Sequence, residues 1–168
     1  MTVTDLSEST DEIRLAAHLD AEFERAWQIF ADATEFGRWF GMALTGPFIN
    51  GQDSRGSLVP TEANSEVAAQ QRPFAGRPVH LLDVEIVVNQ SVSFGWHPFA
   101  LDPGIDYSGE PPTRVQFHLT ARDKGVDLIV SETGFDALPQ GRRDEAFRAH
   151  QGGWRMQIDL IQAWLSAI

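Results

Sequence analysis

Apolar positions recur along this chain with two periods, and the change from one to the other divides it into elements. Ile13, Leu15, Ala17 and Leu19 alternate with Arg14, Ala16, His18 and Asp20. A period of two is that of a strand with one buried face. Phe23, Ala26, Trp27 and Phe30 then stand at i, i+3, i+4 and i+7, the stripe of an amphipathic helix. Asp20 is placed to cap that helix, and Glu22 and Glu24 suit its positive end. Thr34 reads as the cap of a second, shorter helix carrying Phe36, Trp39 and Phe40.

Residues 41–56 are rich in turn formers, and Asn50-Gly51 is a hairpin signal with short strands expected on either side. Residues 61–78 lose both periods and read as a long loop. Four strands follow, at 79–88, 91–97, 114–120 and 126–133. In the second, Val92, Phe94 and Trp96 share one face, while Ser91, Ser93, Gly95 and His97 take the other. In the third, Val115, Phe117 and Leu119 share a face. The run from His97 to Tyr107 holds too many prolines and turn residues for a strand.

The last segment carries the clearest pattern. Phe147, His150, Trp154, Ile158, Ile161, Leu165 and Ile168 repeat at steps of three and four. At 100° per residue they occupy a band about 80° wide. A helix of roughly 26 residues reaches about 39 Å, enough to cross a small domain. A sheet of hairpins with one apolar face needs a cover, and this helix is the element long enough to supply it. Residues 1–11 are polar and acidic and read as a flexible leader, with 12–168 as a single domain.

Composition narrows the chemistry. The chain has 168 residues and no cysteine, so disulfides, thiolate metal sites and cysteine nucleophiles are excluded. Its formal net charge of -11 repels phosphate backbones and anionic lipid surfaces, so no nucleic-acid partner is expected. No apolar run is long enough for a membrane span, and no signal peptide is visible, so the expected location is cytoplasmic. No phosphate-binding loop, dinucleotide fingerprint or nucleophile elbow occurs, and no metal or other cofactor is expected.

Four segments carry a family resemblance: Ala26-Trp27 with Phe36 to Trp39, Trp96-His97-Pro98-Phe99 with Asp102 to Tyr107, Glu132 to Asp136, and Gly152-Gly153-Trp154 followed by Leu165. In this order they make the chain resemble the START-like superfamily, also called SRPBCC or Bet v-like. Within it, the chain is most similar to bacterial proteins named after the C-terminal domain of the activator of heat-shock-protein-90 ATPase. The resemblance implies an α+β helix-grip fold. A curved six- to seven-stranded antiparallel sheet, two short helices and a long C-terminal helix would enclose a cavity. Many superfamily members bind lipids, plant hormones or polyketides there, and some are cyclases or hydratases. The family name also brings a chaperone contact, which the sequence itself does not indicate.

The candidate ligand-binding residues are Trp39, Phe94, Trp96, Phe117, His150, Trp154 and Gln157. The aromatic members stand on inward faces, where flat rings either line an apolar pocket or fill the core. His150 lies on the apolar stripe of the last helix and is the one candidate for acid–base work; Gln157 lies at the edge of the same stripe. Gly152-Gly153 costs that helix about 1 kcal/mol per glycine, which points to close approach, ligand room or a kink. Asp83, Glu85 and Glu132 fall in strands, with Asp83 and Glu85 facing solvent, and none forms a pair suited to catalysis.

Three readings follow: a protein binding a small, largely apolar ligand, an enzyme using His150 in the same cavity, and a chaperone-related interaction module, each as monomer or homodimer. An apolar cavity without an acid–base pair favours the first. A carboxylate within reach of His150 in an open cavity favours the second, and a filled core the third.

Overall fold

The computed structural model describes residues 1–167. Its strands are β1 (Val3–Asp5), β2 (Glu12–Leu19), β3 (Met42–Leu44), β4 (Gln52–Leu58), β5 (Pro78–Val87), β6 (Ser91–Trp96), β7 (Thr113–Ala121) and β8 (Val126–Thr133). Its helices are α1 (Phe23–Ala31), α2 (Ala33–Phe40), α3 (Ser65–Gln71) and α4 (Gln140–Ser166). One curved antiparallel sheet runs in the order β1-β2-β8-β7-β6-β5-β4-β3. α1 and α2 carry the chain from β2, near one edge, to β3 at the other, and α4 lies across the inner face. This is the helix-grip fold that the pattern implied.

The sheet has eight strands rather than six or seven. The short strands expected on either side of Asn50-Gly51 are β3 and β4, and the addition is β1, an edge strand of three residues, too short to show a period. β1 comes from within residues 1–11 and pairs with Leu15, Ala16 and Ala17 of β2.

Alternation holds where it was clearest, with Ile13, Leu15, Ala17 and Leu19 of β2 all buried. The helix caps differ from expectation. α1 starts at Phe23, beyond reach of Asp20, whose backbone N–H instead donates to the Gln162 side-chain oxygen of α4 at 3.1 Å. α2 starts before Thr34, and Asp32 caps it by accepting the Glu35 N–H at 2.9 Å. Gly41 ends α2 at φ 107°, a conformation that costs glycine little. The expected loop at 61–78 contains α3, capped by the Asn64 side chain.

β5 changes parity midway. Asp83 has φ 45° and the register to β6 shifts between Leu82 and Glu85, which marks a bulge. The buried positions are therefore Val79, Leu81 and Val84. Leu82 does not share their face, while Asp83 and Glu85 are exposed.

The core under α4 is solidly aromatic. Phe30, Phe36, Trp39, Phe94 and Phe117 are fully enclosed and pack mostly edge-to-face. The second half of α4 buries Ile158, Leu160, Ile161 and Leu165. Phe147 and His150, nearer its start, are only half-buried. Ile168, the last position of the expected stripe, lies outside the described residues. Among the described residues no helix is long and apolar enough to cross a membrane.

Candidate functional site

β8 turns Val126, Leu128, Val130 and Glu132 to the inner face in strict alternation. A carboxylate thus occupies a position whose parity calls for an apolar side chain. Glu132 is fully buried, and four donors surround it. Oε2 accepts from the Trp96 indole at 2.7 Å and from the Thr113 hydroxyl at 2.5 Å. Oε1 accepts from the Trp154 indole at 2.8 Å and pairs with His150 Nδ1 at 2.6 Å. Each element contributes through its own periodicity: Trp96 ends the inward row of β6, Thr113 begins that of β7, and His150 and Trp154 stand one turn apart on α4.

A carboxylate enclosed this completely would ordinarily protonate. Burial is the largest single influence on Glu132 and pushes its pKa up. The hydrogen bond and charge of His150, with the bonds from Thr113 and Trp96, act the other way and prevail. The net direction is downward, so Glu132 is held as the anion. An ionised carboxylate only accepts hydrogen bonds, so the proton of the His150 bond sits on Nδ1. The other ring nitrogen, Nε2, has no hydrogen-bond partner among the described residues.

Two cavities meet at this cluster. The larger, about 470 Å³, lies between the β3–β5 side of the sheet, the start of α4 and the β6–β7 loop. Phe40, Met42, Val79, Leu81, Trp96 and Phe99 form much of its wall, with His80, His97, Asp106, Tyr107, Ser108 and His150 as polar members. The smaller, about 190 Å³, is lined by Phe40, Trp96, His150, Gly153, Trp154, Met156 and Gln157. Phe40, Trp96 and His150 border both.

The β6–β7 loop forms a strap over the larger cavity. Arg142 of α4 fastens it by donating to the carbonyls of Phe99 at 2.9 Å and Pro98 at 2.8 Å. The same guanidinium pairs with Glu110 at 2.8 Å and stacks on Tyr107 at 4.5 Å. Arg77 adds a bond to the Leu101 carbonyl at 2.7 Å.

Of the seven expected ligand-binding residues, four border the cavities: Trp96, His150, Trp154 and Gln157. Trp39, Phe94 and Phe117 border neither; they are core. Trp39 donates its indole N–H to the Ile29 carbonyl at 2.9 Å, and Phe94 and Phe117 pack against Phe36. The reason is that α1 and α2 press Phe30 and Phe36 into the space a ligand would need. His97, expected on the outer face of its strand, lines the larger cavity because β6 ends at Trp96 and the chain turns there. Burial is the leading influence on His97 and holds its pKa below the ordinary histidine value. Gly153 opens onto the smaller cavity, and a Cβ there would meet nothing within 4 Å. Close approach of α4 to the sheet therefore does not explain this glycine. Among the described residues no group of three or more histidines and carboxylates is placed to hold a metal ion.

Comparison with known proteins adds the lineage. Protein Ms6760 from Mycobacterium smegmatis matches with TM-score 0.64 at 19% identity, covering 99% of each chain. A protein from Arthrobacter aurescens matches with TM-score 0.69 at 18% identity, covering 98% of this chain and 94% of its own. DynU16, a protein in the dynemicin biosynthetic locus, matches with TM-score 0.66 at 19% identity, over 94% of this chain and 48% of its own. Likenesses of this degree establish the shared fold. No curated protein matches the sequence. The family model described as Activator of Hsp90 ATPase homolog 1-like protein matches residues 20–166, which span α1 to the end of α4. A match over nearly the whole domain, on a helix-grip fold, means that the chain belongs to the Activator of Hsp90 ATPase homolog 1-like family.

Proposed function

We propose that this protein binds a small, largely apolar molecule in the cavity between the strap, the sheet and the first half of α4. The observation that carries this reading is the cavity itself. About 470 Å³ of mainly apolar space lies beside a core that is otherwise packed solid. Its size falls within the range of small-molecule sites. The family's fold is of a ligand-binding kind, which agrees. Titration with the neutral dye N-phenyl-1-naphthylamine tests the reading. Saturable one-to-one binding is expected, weakened by Trp96→Ala far more than by Phe117→Ala. Equal effects, or no saturable binding, would remove the cavity assignment.

The Glu132–His150 pair supports a second reading, an enzyme. A buried carboxylate that fixes a histidine tautomer and leaves Nε2 free is the arrangement of an acid–base catalyst. The pair meets the condition set out above for the enzyme, a carboxylate within reach of His150 beside a cavity; binding of a small apolar molecule is the step that both readings share, and it is therefore the first reading. His150→Asn separates the two. Ligand affinity within about tenfold of the unaltered protein fits a binder. A loss of about 10²–10⁴-fold in turnover of a bound molecule fits a general acid–base enzyme.

A further inference from the structure

The strap walls the larger cavity on one side, and the cavity is open to solvent along it. Ala100, Leu101, Asp106 and Ser108 line the cavity and are nevertheless exposed. The ends of the strap are fixed. It leaves β6 at Trp96 and enters β7 at Thr113, which face each other as a pair of the ladder, and both side chains donate to Glu132 Oε2. Between these ends, residues 97–112 are built as one piece. Their backbone bonds, from the Ile105 N–H to the Asp102 carbonyl at 3.1 Å and from the Glu110 N–H to the Tyr107 carbonyl at 2.9 Å, are internal. So are the side-chain bonds of Asp102, Asp106 and Tyr107. Among the described residues, Arg142 and Arg77 alone hydrogen-bond the strap to the rest of the chain.

Those attachments suit a part that moves. Both arginines reach the strap with long side chains, which can follow it by changing rotamer. Arg142 is the third residue of α4, where the helix dipole disfavours a cation, and all its hydrogen bonds go to the strap. Phe99, whose carbonyl it holds, has φ 52°. A bulky residue at positive φ is strained and persists only where its surroundings enforce it, as in ligand clamps and switch segments. The strap also exposes two large apolar side chains, Leu101 at 36% and Ile105 at 52%. Leu101 lines the larger cavity, whereas Ile105 lines neither.

We propose that the strap is a lid, which moves as one body over the mouth of the larger cavity when a small apolar molecule fills it, turning about the Trp96–Thr113 pair and carrying Leu101 and Ile105 out of water. The inference rests on the binding reading above. A bound ligand shifts a segment only through contacts made better in one position than in the other. The filled cavity presents an apolar surface at its mouth, and the exposed apolar side chains of the strap gain by covering it. Closure also brings the ligand toward the enclosure of about 70–90% of its surface that is usual in small-molecule sites.

The test compares N-phenyl-1-naphthylamine binding to the full chain and to Ile105→Ser. Ile105 is exposed and lines neither cavity, so a fixed strap would leave the affinity unchanged. A lid that buries Ile105 should lose at least about threefold in affinity, with the thermal melt of the unliganded variant unchanged. Ile49→Ser, at an exposed apolar residue outside the strap, should bind as the unaltered protein does. On the unaltered protein, a soluble gadolinium chelate should relax the Ile105 methyl groups more slowly at saturating dye than without dye. Saturable dye binding with equal affinity in Ile105→Ser, or an equal loss in Ile49→Ser, would overturn the lid and leave the cavity reading standing. Unchanged methyl relaxation in a saturated sample would do the same even where a variant does not fold. No saturable binding to the unaltered protein would remove the binding reading and the lid with it.

Discussion

Glu132→Gln is nearly isosteric, yet the structure makes it a severe change. The carboxylate receives Trp96 and Thr113 on one oxygen and His150 and Trp154 on the other. A glutamine keeps one accepting oxygen and replaces the other with an NH2 donor. If NH2 takes the first position, Thr113 can rotate to accept, but the Trp96 indole N–H faces a donor. If it takes the second, His150 can switch tautomer to accept, but the Trp154 indole N–H faces a donor. Indoles never accept, so either orientation strands one buried N–H. An orphaned buried donor costs about 1–3 kcal/mol, and the remaining bonds lose their charge assistance, so about 2–4 kcal/mol of destabilisation is expected. Glu132→Leu strands both indoles and the threonine at once and should cost more. Urea unfolding followed by tryptophan fluorescence, with the slope compared between variants, reads the difference. A loss below about 1 kcal/mol for Glu132→Gln would refute the argument, because it would place less than a single unmet donor at this site.

The same carboxylate gives a signed pH dependence. Its folded pKa is depressed below the unfolded value, so its contribution is complete above about pH 4.3 and is lost as pH falls toward the folded value. The difference in stability between the unaltered protein and Glu132→Gln should therefore shrink on acidification; a constant difference would contradict the assignment. Trp154→Ala should destabilise by about 3–5 kcal/mol, since the ring is 3% exposed and closes the Glu132 cluster; urea unfolding showing under about 1 kcal/mol would contradict its burial. Arg142→Ala should free the strap, which limited proteolysis would detect as faster cleavage within residues 98–110, with global unfolding little changed. Unchanged cleavage would mean that the strap is held by other contacts.

The fold was legible because its signals are long. β2, β7 and β8 alternate without a break, and α4 carries its stripe for about five turns, so their faces follow from period alone. The caps were misplaced where an acidic or hydroxyl residue stood within two or three positions of the real start, a distance that periodicity does not resolve. Glu132 was legible in principle. It holds the same parity as Val126, Leu128 and Val130, and a strand whose inward row ends in a carboxylate announces a buried polar group. The signal passed because the donors around it come from three other elements, brought together only by the sheet register and the seating of α4. Whether an inward aromatic ring lines a cavity or fills it was not legible. Phe94 and Trp96 stand two residues apart on one face of β6, yet Phe36 of α2 reaches the first and open space meets the second.

The location of binding can be read directly from the indole N–H signals of the five tryptophans. In a proton–nitrogen NMR titration with N-phenyl-1-naphthylamine, the Trp96 and Trp154 indoles border the cavities and should shift together in a saturable one-to-one manner. The Trp39 indole, bonded to the Ile29 carbonyl inside the solid core, should stay in place. Movement of Trp39 as large as that of Trp96, or no movement of any indole at saturating dye, would contradict a ligand cavity beside the Glu132 cluster.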